Sequence, residues 1–203
     1  MFWDRVAPVY GIFVKIINGK AHRALKRMVA DAIRPDAAVL ECACGTGMLS
    51  KEIAHKCRKL TATDFSVKML KQAEKNCAAC ENVTFCQADI MALAWPDQTF
   101  DAVVAGNVIH LLDEPLKALQ EMNRVCTSGG TLIIPTYMNR DRKGRTSVFA
   151  STVGKAGADF RRQFTVDSYR QFFLDAGYPD VQISLAEGRI PCAVAVMQRK
   201  DGD

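Results

Sequence analysis

Apolar positions follow two alternating rhythms along this chain. Over residues 19–33, Ala21, Leu25, Met28, Val29 and Ile33 recur near helical spacing, and Arg34-Pro35 ends the pattern. Residues 37–42 are a short apolar run of strand length that enters a glycine-rich turn at Gly45 and Gly47. A helix over 48–56, a strand over 59–63, a helix from Ser66 to about Cys77 and a strand over 83–87 follow. Ser66 suits a helix entry because its hydroxyl can accept an N–H group that the first turn leaves unpaired. Residues 100–105 predict a fourth strand, apolar in the manner of strands buried on both faces. Asp113 and Pro115 open a helix that reaches Ser128-Gly129-Gly130, and residues 131–136 predict strand five. Residues 137–163 are the least regular part of the chain. A last helix over 165–176 precedes two runs, 181–186 and 193–198, that pair as a hairpin around Gly188.

Helices and strands in alternation predict an α/β fold with a mostly parallel sheet of seven strands. No repeat or linker interrupts the pattern, and 203 residues suffice for one sizeable core. The expectation is a single domain over 1–203, with residues 1–34 as a helical lid or cap. No run of 18 apolar residues predicts a membrane span. Asp4, Arg5, Pro8 and Lys15 do not suit a secretory signal. Eight cysteines without an export signal point to a reducing, cytoplasmic setting. The net charge of +5 is a mild excess. Its main cluster, Arg140, Arg142, Lys143 and Arg145 with Arg161 and Arg162 behind, lacks interleaved aromatics, so no nucleic-acid partner is expected.

The chemistry concentrates where strand one turns into helix. In Glu41-Cys42-Ala43-Cys44-Gly45-Thr46-Gly47, glycines let backbone approach a ligand closely. Asp64 closes strand two, 17 residues after Gly47. A carboxylate about 20 residues beyond such glycines is placed to accept both hydroxyls of a ribose. Asp89, just past strand three, borders the same crevice, where an adenine amino group needs an acceptor. Such a site belongs at the carboxyl edge of the sheet.

Glu41-x-Ala43-x-Gly45-x-Gly47, Asp64, Ala88-Asp89-Ile90 and Phe100-Asp101-Ala102-Val103-Val104 resemble, in order and spacing, the motifs of class I S-adenosylmethionine-dependent methyltransferases. The nearest likeness is to the group that includes the ubiquinone and menaquinone biosynthesis enzymes. The resemblance implies a Rossmann-like, doubly wound sheet of order 3-2-1-4-5-7-6 with strand seven antiparallel. It implies S-adenosylmethionine as cofactor, with Glu41, Ala43, Cys44, Gly45, Thr46 and Gly47 around its methionine part. Asp64 falls at the ribose, Asp89 at the adenine amino group with Ile90 packed near the adenine, and the Asn107 backbone near the methionine amino group, with Phe65 also among the cofactor-binding residues. Ala43 stands where the family carries its first glycine. The function implied is methyl transfer to a small-molecule acceptor. The alternative acceptors are a lipid headgroup or a quinone at a membrane surface, reached by peripheral contact.

A nicotinamide-dependent oxidoreductase shares the architecture, but Gly45-x-Gly47-x-x-Ser50 lacks the third glycine of its fingerprint. A non-catalytic nucleotide-binding domain is the remaining alternative. Cys77-x-x-Cys80 is half a zinc site with no partner pair, so no metal is expected. His110, just past strand four, sits where an acceptor approaches and is a candidate general base. Within the apolar stretch over residues 1–17, Asp4-Arg5-Val6-Ala7-Pro8-Val9-Tyr10-Gly11 resembles the segment that folds over the cofactor in related methyltransferases, which makes the stretch a lid with Tyr10 as its candidate catalytic contact. A helix packed on the core and a membrane-surface anchor are the alternatives.

Overall fold

The computed structural model describes residues 19, 21–138, 162–188 and 190–200. The proposed lid with Tyr10, and the basic cluster Arg140–Arg145 with Arg161, lie outside the described residues.

Seven strands form one sheet in the order β3-β2-β1-β4-β5-β7-β6. They are β1 (Ala38–Cys42), β2 (Lys59–Asp64), β3 (Val83–Gln87), β4 (Phe100–Ala105), β5 (Cys126–Tyr137), β6 (Gln182–Ala186) and β7 (Cys192–Gln198). The first five run parallel, while β7 is antiparallel to both β5 and β6. The predicted terminal hairpin is therefore present, and so is the order that the resemblance implies. Helices flank the sheet: α1 (residues 21–31), α2 (Ser50–Ala54), α3 (Val67–Asn76), α4 (Pro115–Val125) and α5 (Val166–Asp175).

Alternation along the central strands feeds two cores. Leu40, Val103 and Ile134 face one side with Leu119, Met122, Tyr169 and Phe173 of α4 and α5. Val39, Val104 and Ile133 face the other with Leu25 and Val29 of α1, Ile53 of α2 and Leu70 of α3. Burial on both faces explains why these strands read as near-continuous apolar runs. Tyr169, fully buried, donates its hydroxyl to the Ile134 carbonyl at 2.6 Å, which satisfies the one polar atom it carries inside.

Two helix entries match the sequence reading. The Ser66 hydroxyl accepts the Met69 N–H at 3.2 Å, and Thr165 and Ser168 cap α5 reciprocally. One boundary differs. The helix expected to reach residue 130 ends at Val125, and β5 begins at Cys126. Phe100 pairs with Cys126 but Ala102 with Thr131, so residues 127–130 bulge out of register. Gly129 supplies a φ of 70° for this bulge. A Cβ on Gly130 would lie 2.6 Å from Cys126 Sγ and 2.9 Å from the Asp101 carbonyl. Both glycines serve the bulge rather than a helix end. No described helix is long and apolar enough to cross a membrane.

Candidate functional site

The carboxyl ends of β1 to β5 open on one cavity of about 580 Å³. Strand order assigns its two ends. Asp64, Phe65, Asp89 and Ile90 line it from the β2–β3 side, and Asn107, Val108 and Tyr137 from the β4–β5 side. Glu41 and the turn 43–47 lie between, because β1 is the middle strand of the five.

The turn takes this shape because its backbone runs left-handed three times, at Ala43 (φ 54°), Gly45 (φ 58°) and Gly47 (φ 81°). Among the described residues nothing crowds a Cβ at Gly45, so there only its conformation demands glycine. Gly47 is tighter: an added Cβ would come within 3.1 Å of Cys77 Sγ and 3.3 Å of the Ala73 backbone on α3. Ala43 adopts the same left-handed region with a side chain, at a cost of order 1 kcal/mol. Asn76 holds the turn from α3, donating its amide to the Thr46 carbonyl at 2.8 Å.

Asp64 couples the turn to β2. One carboxylate oxygen accepts the Gly45 N–H at 2.8 Å and the other accepts the Ser66 N–H at 2.8 Å. A carboxylate offers about four acceptor positions, more than these two N–H groups use. Asp89 is built similarly, accepting the Met91 N–H at 2.9 Å through one oxygen. Phe65 is 51% exposed, unusual for so large an apolar ring, and it lines the cavity.

Glu41 is the electrostatic anomaly. It is 1% exposed, and burial, opposed by the nearby Ser50 hydroxyl and reinforced by the Asp64 charge, lifts its carboxyl from 4.5 to about 8. Its Oε2 is buried without a hydrogen-bond partner among the described residues. A buried acceptor left unmatched beside a cavity suits a ligand that brings a donor or a positive charge. The Asn107 side-chain oxygen is likewise buried and unmatched, on a residue with φ of 55° whose N–H donates to the Pro135 carbonyl at 2.8 Å.

Of the sequence-predicted residues, Glu41, Ala43, Cys44, Gly45, Thr46, Gly47, Asp64, Phe65, Asp89, Ile90 and Asn107 all line this cavity. His110 does not. It is 4% exposed, held below the usual histidine range at about 4 by burial, and stacked edge-on against Tyr137 with ring centres 6.4 Å apart. Arg162 braces the same segment, its N–H reaching the His110 carbonyl and its guanidinium the Leu112 carbonyl. Lys26, Asn76 and Tyr137 were not anticipated. Tyr137 had a legible signal: it follows predicted strand five directly, the position that Asp64 holds after strand two. Lys26 and Asn76 come from helix faces, and no local pattern marks which turn of a helix will overhang a crevice. Among the described residues, no three His, Cys, Asp or Glu side chains are grouped to hold a metal ion.

Residues 40–134 match the methyltransferase domain family. A demethylmenaquinone methyltransferase of Renibacterium salmoninarum is 34% identical over 137 residues, covering 66% of this chain and 56% of the relative. One from Staphylococcus aureus is 32% identical, covering 64% and 56%. The chain thus spans little more than half the length of these relatives. Among solved structures, an S-adenosylmethionine-dependent methyltransferase from Thermotoga maritima, described as a possible histamine N-methyltransferase, superposes with a TM-score of 0.74 at 18% identity, over 98% of this chain and 99% of that one. The N-methyltransferase NodS from Bradyrhizobium japonicum, solved with S-adenosylhomocysteine, gives 0.67 at 18% identity, over 89% and 86%.

Proposed function

We propose that this chain is a class I S-adenosylmethionine-dependent methyltransferase, a reading that its match to the methyltransferase domain family over residues 40–134 supports, and that it transfers the methyl group of S-adenosylmethionine to a small-molecule acceptor. One observation carries the choice of cofactor: two carboxyl groups, Glu41 and Asp64, flank the glycine turn. In a dinucleotide fold this turn faces a pyrophosphate on a helix N-terminus. The Asp64 charge there opposes an anion, whereas a ligand bearing an ammonium and a sulfonium is attracted to it and favours the ionised form of Glu41. The residues fit the rest of that ligand. Glu41 Oε2 would take the methionine ammonium, Asp64 the ribose hydroxyls, and Asp89 the adenine amino group, with Ile90 and Phe65 against the base. When bound, the cofactor supplies a methyl group already activated on sulfur, so the chain need not provide a nucleophile. Its own task is to orient the acceptor and exclude water, which together lower a barrier by up to about 7–11 kcal/mol.

The relatives are named for a quinone, and the apolar wall of Val108, Leu111 and Leu112 suits an aromatic acceptor. In this reading a quinol meets the enzyme in the cytoplasm or at a membrane surface, and the eight free thiols fit a reducing setting. Calorimetry tests the cofactor: S-adenosylhomocysteine should bind, and NADH should not. Tight NADH binding with no response to S-adenosylhomocysteine would overturn the proposal.

A further inference from the structure

At the β5 end of the cavity, Tyr137 presents a phenol whose oxygen lies 3.0 Å from His22 Nε2 on α1. Tyr137 is half-buried and lines the cavity, while His22 is 5% exposed behind it. Helix α1 and the end of β5 are 115 residues apart in sequence, so only the fold brings the two groups together. The position of the pair is informative. Asp64, Asp89 and Ile90 occupy the β2–β3 end and the glycine turn the middle, which leaves the β4–β5 end for the second substrate.

We propose that Tyr137 and His22 form the proton-accepting pair of the acceptor subsite, and that this subsite takes a phenol or quinol. The inference rests on the cofactor reading above. The acceptor hydroxyl gives its proton to Tyr137 Oη while Tyr137 passes its own to His22 Nε2, so the tyrosine ends neutral and the histidine cationic. The electron pair released on the acceptor forms the new bond to the methyl carbon, and the electrons of the broken carbon–sulfur bond stay on sulfur. Where a ring carbon ortho to the hydroxyl takes the methyl, the oxygen is left as a carbonyl; the carbon then gives its proton to water, and the oxygen takes one back from His22 through Tyr137 to restore the hydroxyl.

Burial first, with the Lys26 charge added, lowers His22 to about 4, so the ring is neutral near pH 7. One neutral tautomer leaves Nε2 as an acceptor for the Tyr137 hydroxyl. A base this weak suffices because the acceptor hydroxyl becomes far more acidic as its electrons move to carbon. Tyr137 is then the catalytic residue. His22 acts through it and is a positioning residue, and His110 packs behind the same ring.

The test uses the full chain, labelled S-adenosylmethionine and chemically reduced 1,4-naphthoquinone. Wild type should transfer label to the quinol. Tyr137→Phe should lower kcat about a hundredfold, with S-adenosylhomocysteine affinity and melting temperature close to wild type. His22→Gln should lower kcat in the same direction. Both deficits should shrink on 4-nitrophenol in mildly alkaline buffer, where the acceptor is already ionised. Binding of 1-naphthol to the S-adenosylhomocysteine complex should weaken about tenfold in Tyr137→Phe, as expected for a lost hydrogen bond. The pair is refuted if Tyr137→Phe keeps kcat within about threefold, or if its S-adenosylhomocysteine affinity collapses in parallel. A wild type that binds S-adenosylhomocysteine but neither binds 1-naphthol nor methylates the quinol refutes the acceptor class and leaves the cofactor reading standing. A wild type that fails to bind S-adenosylhomocysteine overturns the cofactor reading and the pair with it.

Discussion

Glu41→Gln isolates the carboxyl that the fold keeps dry beside the glycine turn. In the folded chain burial raises that group from 4.5 to about 8. Between those values the folded chain holds a proton that the unfolded chain has released, so stability falls as pH rises from about 4.5 through about 8. At about 1.4 kcal/mol for each pH unit, the full displacement sets a ceiling of about 3–5 kcal/mol, lost by the time the pH passes 8. Glutamine carries no such proton. The difference between variant and wild type should therefore be small near pH 4.5 and grow in favour of the variant toward pH 8. Urea unfolding of the ligand-free proteins at three pH values reads that difference, and His22 and His110 titrate alike in both. A ligand that brings an ammonium to Glu41 reverses the advantage, because it favours the ionised form. Binding of S-adenosylhomocysteine should thus release up to one proton from wild type near neutral pH, seen as a buffer-dependent enthalpy, and none from the variant. Stability profiles that run parallel from pH 4.5 to 8 would refute the reasoning.

Asp64→Ala should do two things at once. It removes an acceptor for the ligand and leaves the Gly45 and Ser66 N–H groups without theirs, so affinity for S-adenosylhomocysteine and folding stability should each fall by about 1–3 kcal/mol, by calorimetry and urea unfolding. Ala43→Gly should relieve the left-handed strain at φ 54°, raising the melting temperature by about 2–4 °C with affinity unchanged. Gly130→Ala drives a methyl into Cys126 Sγ and two backbone carbonyls, and should cost about 3 kcal/mol or more in the same unfolding assay.

Much of the cavity lining at the ends of β1 to β3 was legible because its information is local. Glu41, the glycines, Asp64 and Asp89 each sit at a strand end, and strand ends follow from apolar runs of six residues or fewer. Once parallel strands are inferred, their carboxyl ends fall on one edge of the sheet, and whatever polar residues end them are brought together. Register at β5 was not local. A helix to Gly130 and a strand from Cys126 are both compatible with Cys126-Thr127-Ser128-Gly129-Gly130, and the pairing of Phe100 with Cys126 decided for the strand.

What the sequence by itself determined, then, was the alternation of helix and strand, the seven strands and the strand-end residues that line the cavity, because each depends on spacing within a few residues. Only the tertiary structure decided how those residues are charged and which distant groups they meet. Glu41 is an ordinary acid in the sequence, and it becomes a proton-holding group because the fold removes water from it without supplying a partner for Oε2 among the described residues. His110, named from its place after strand four, lies behind Tyr137 and off the cavity wall. His22 stands in the first helix with no local feature to mark it, and it reaches Tyr137 only because α1 packs onto the sheet. Dielectric surroundings and long-range contact are properties of the packed chain, and no window of sequence contains them.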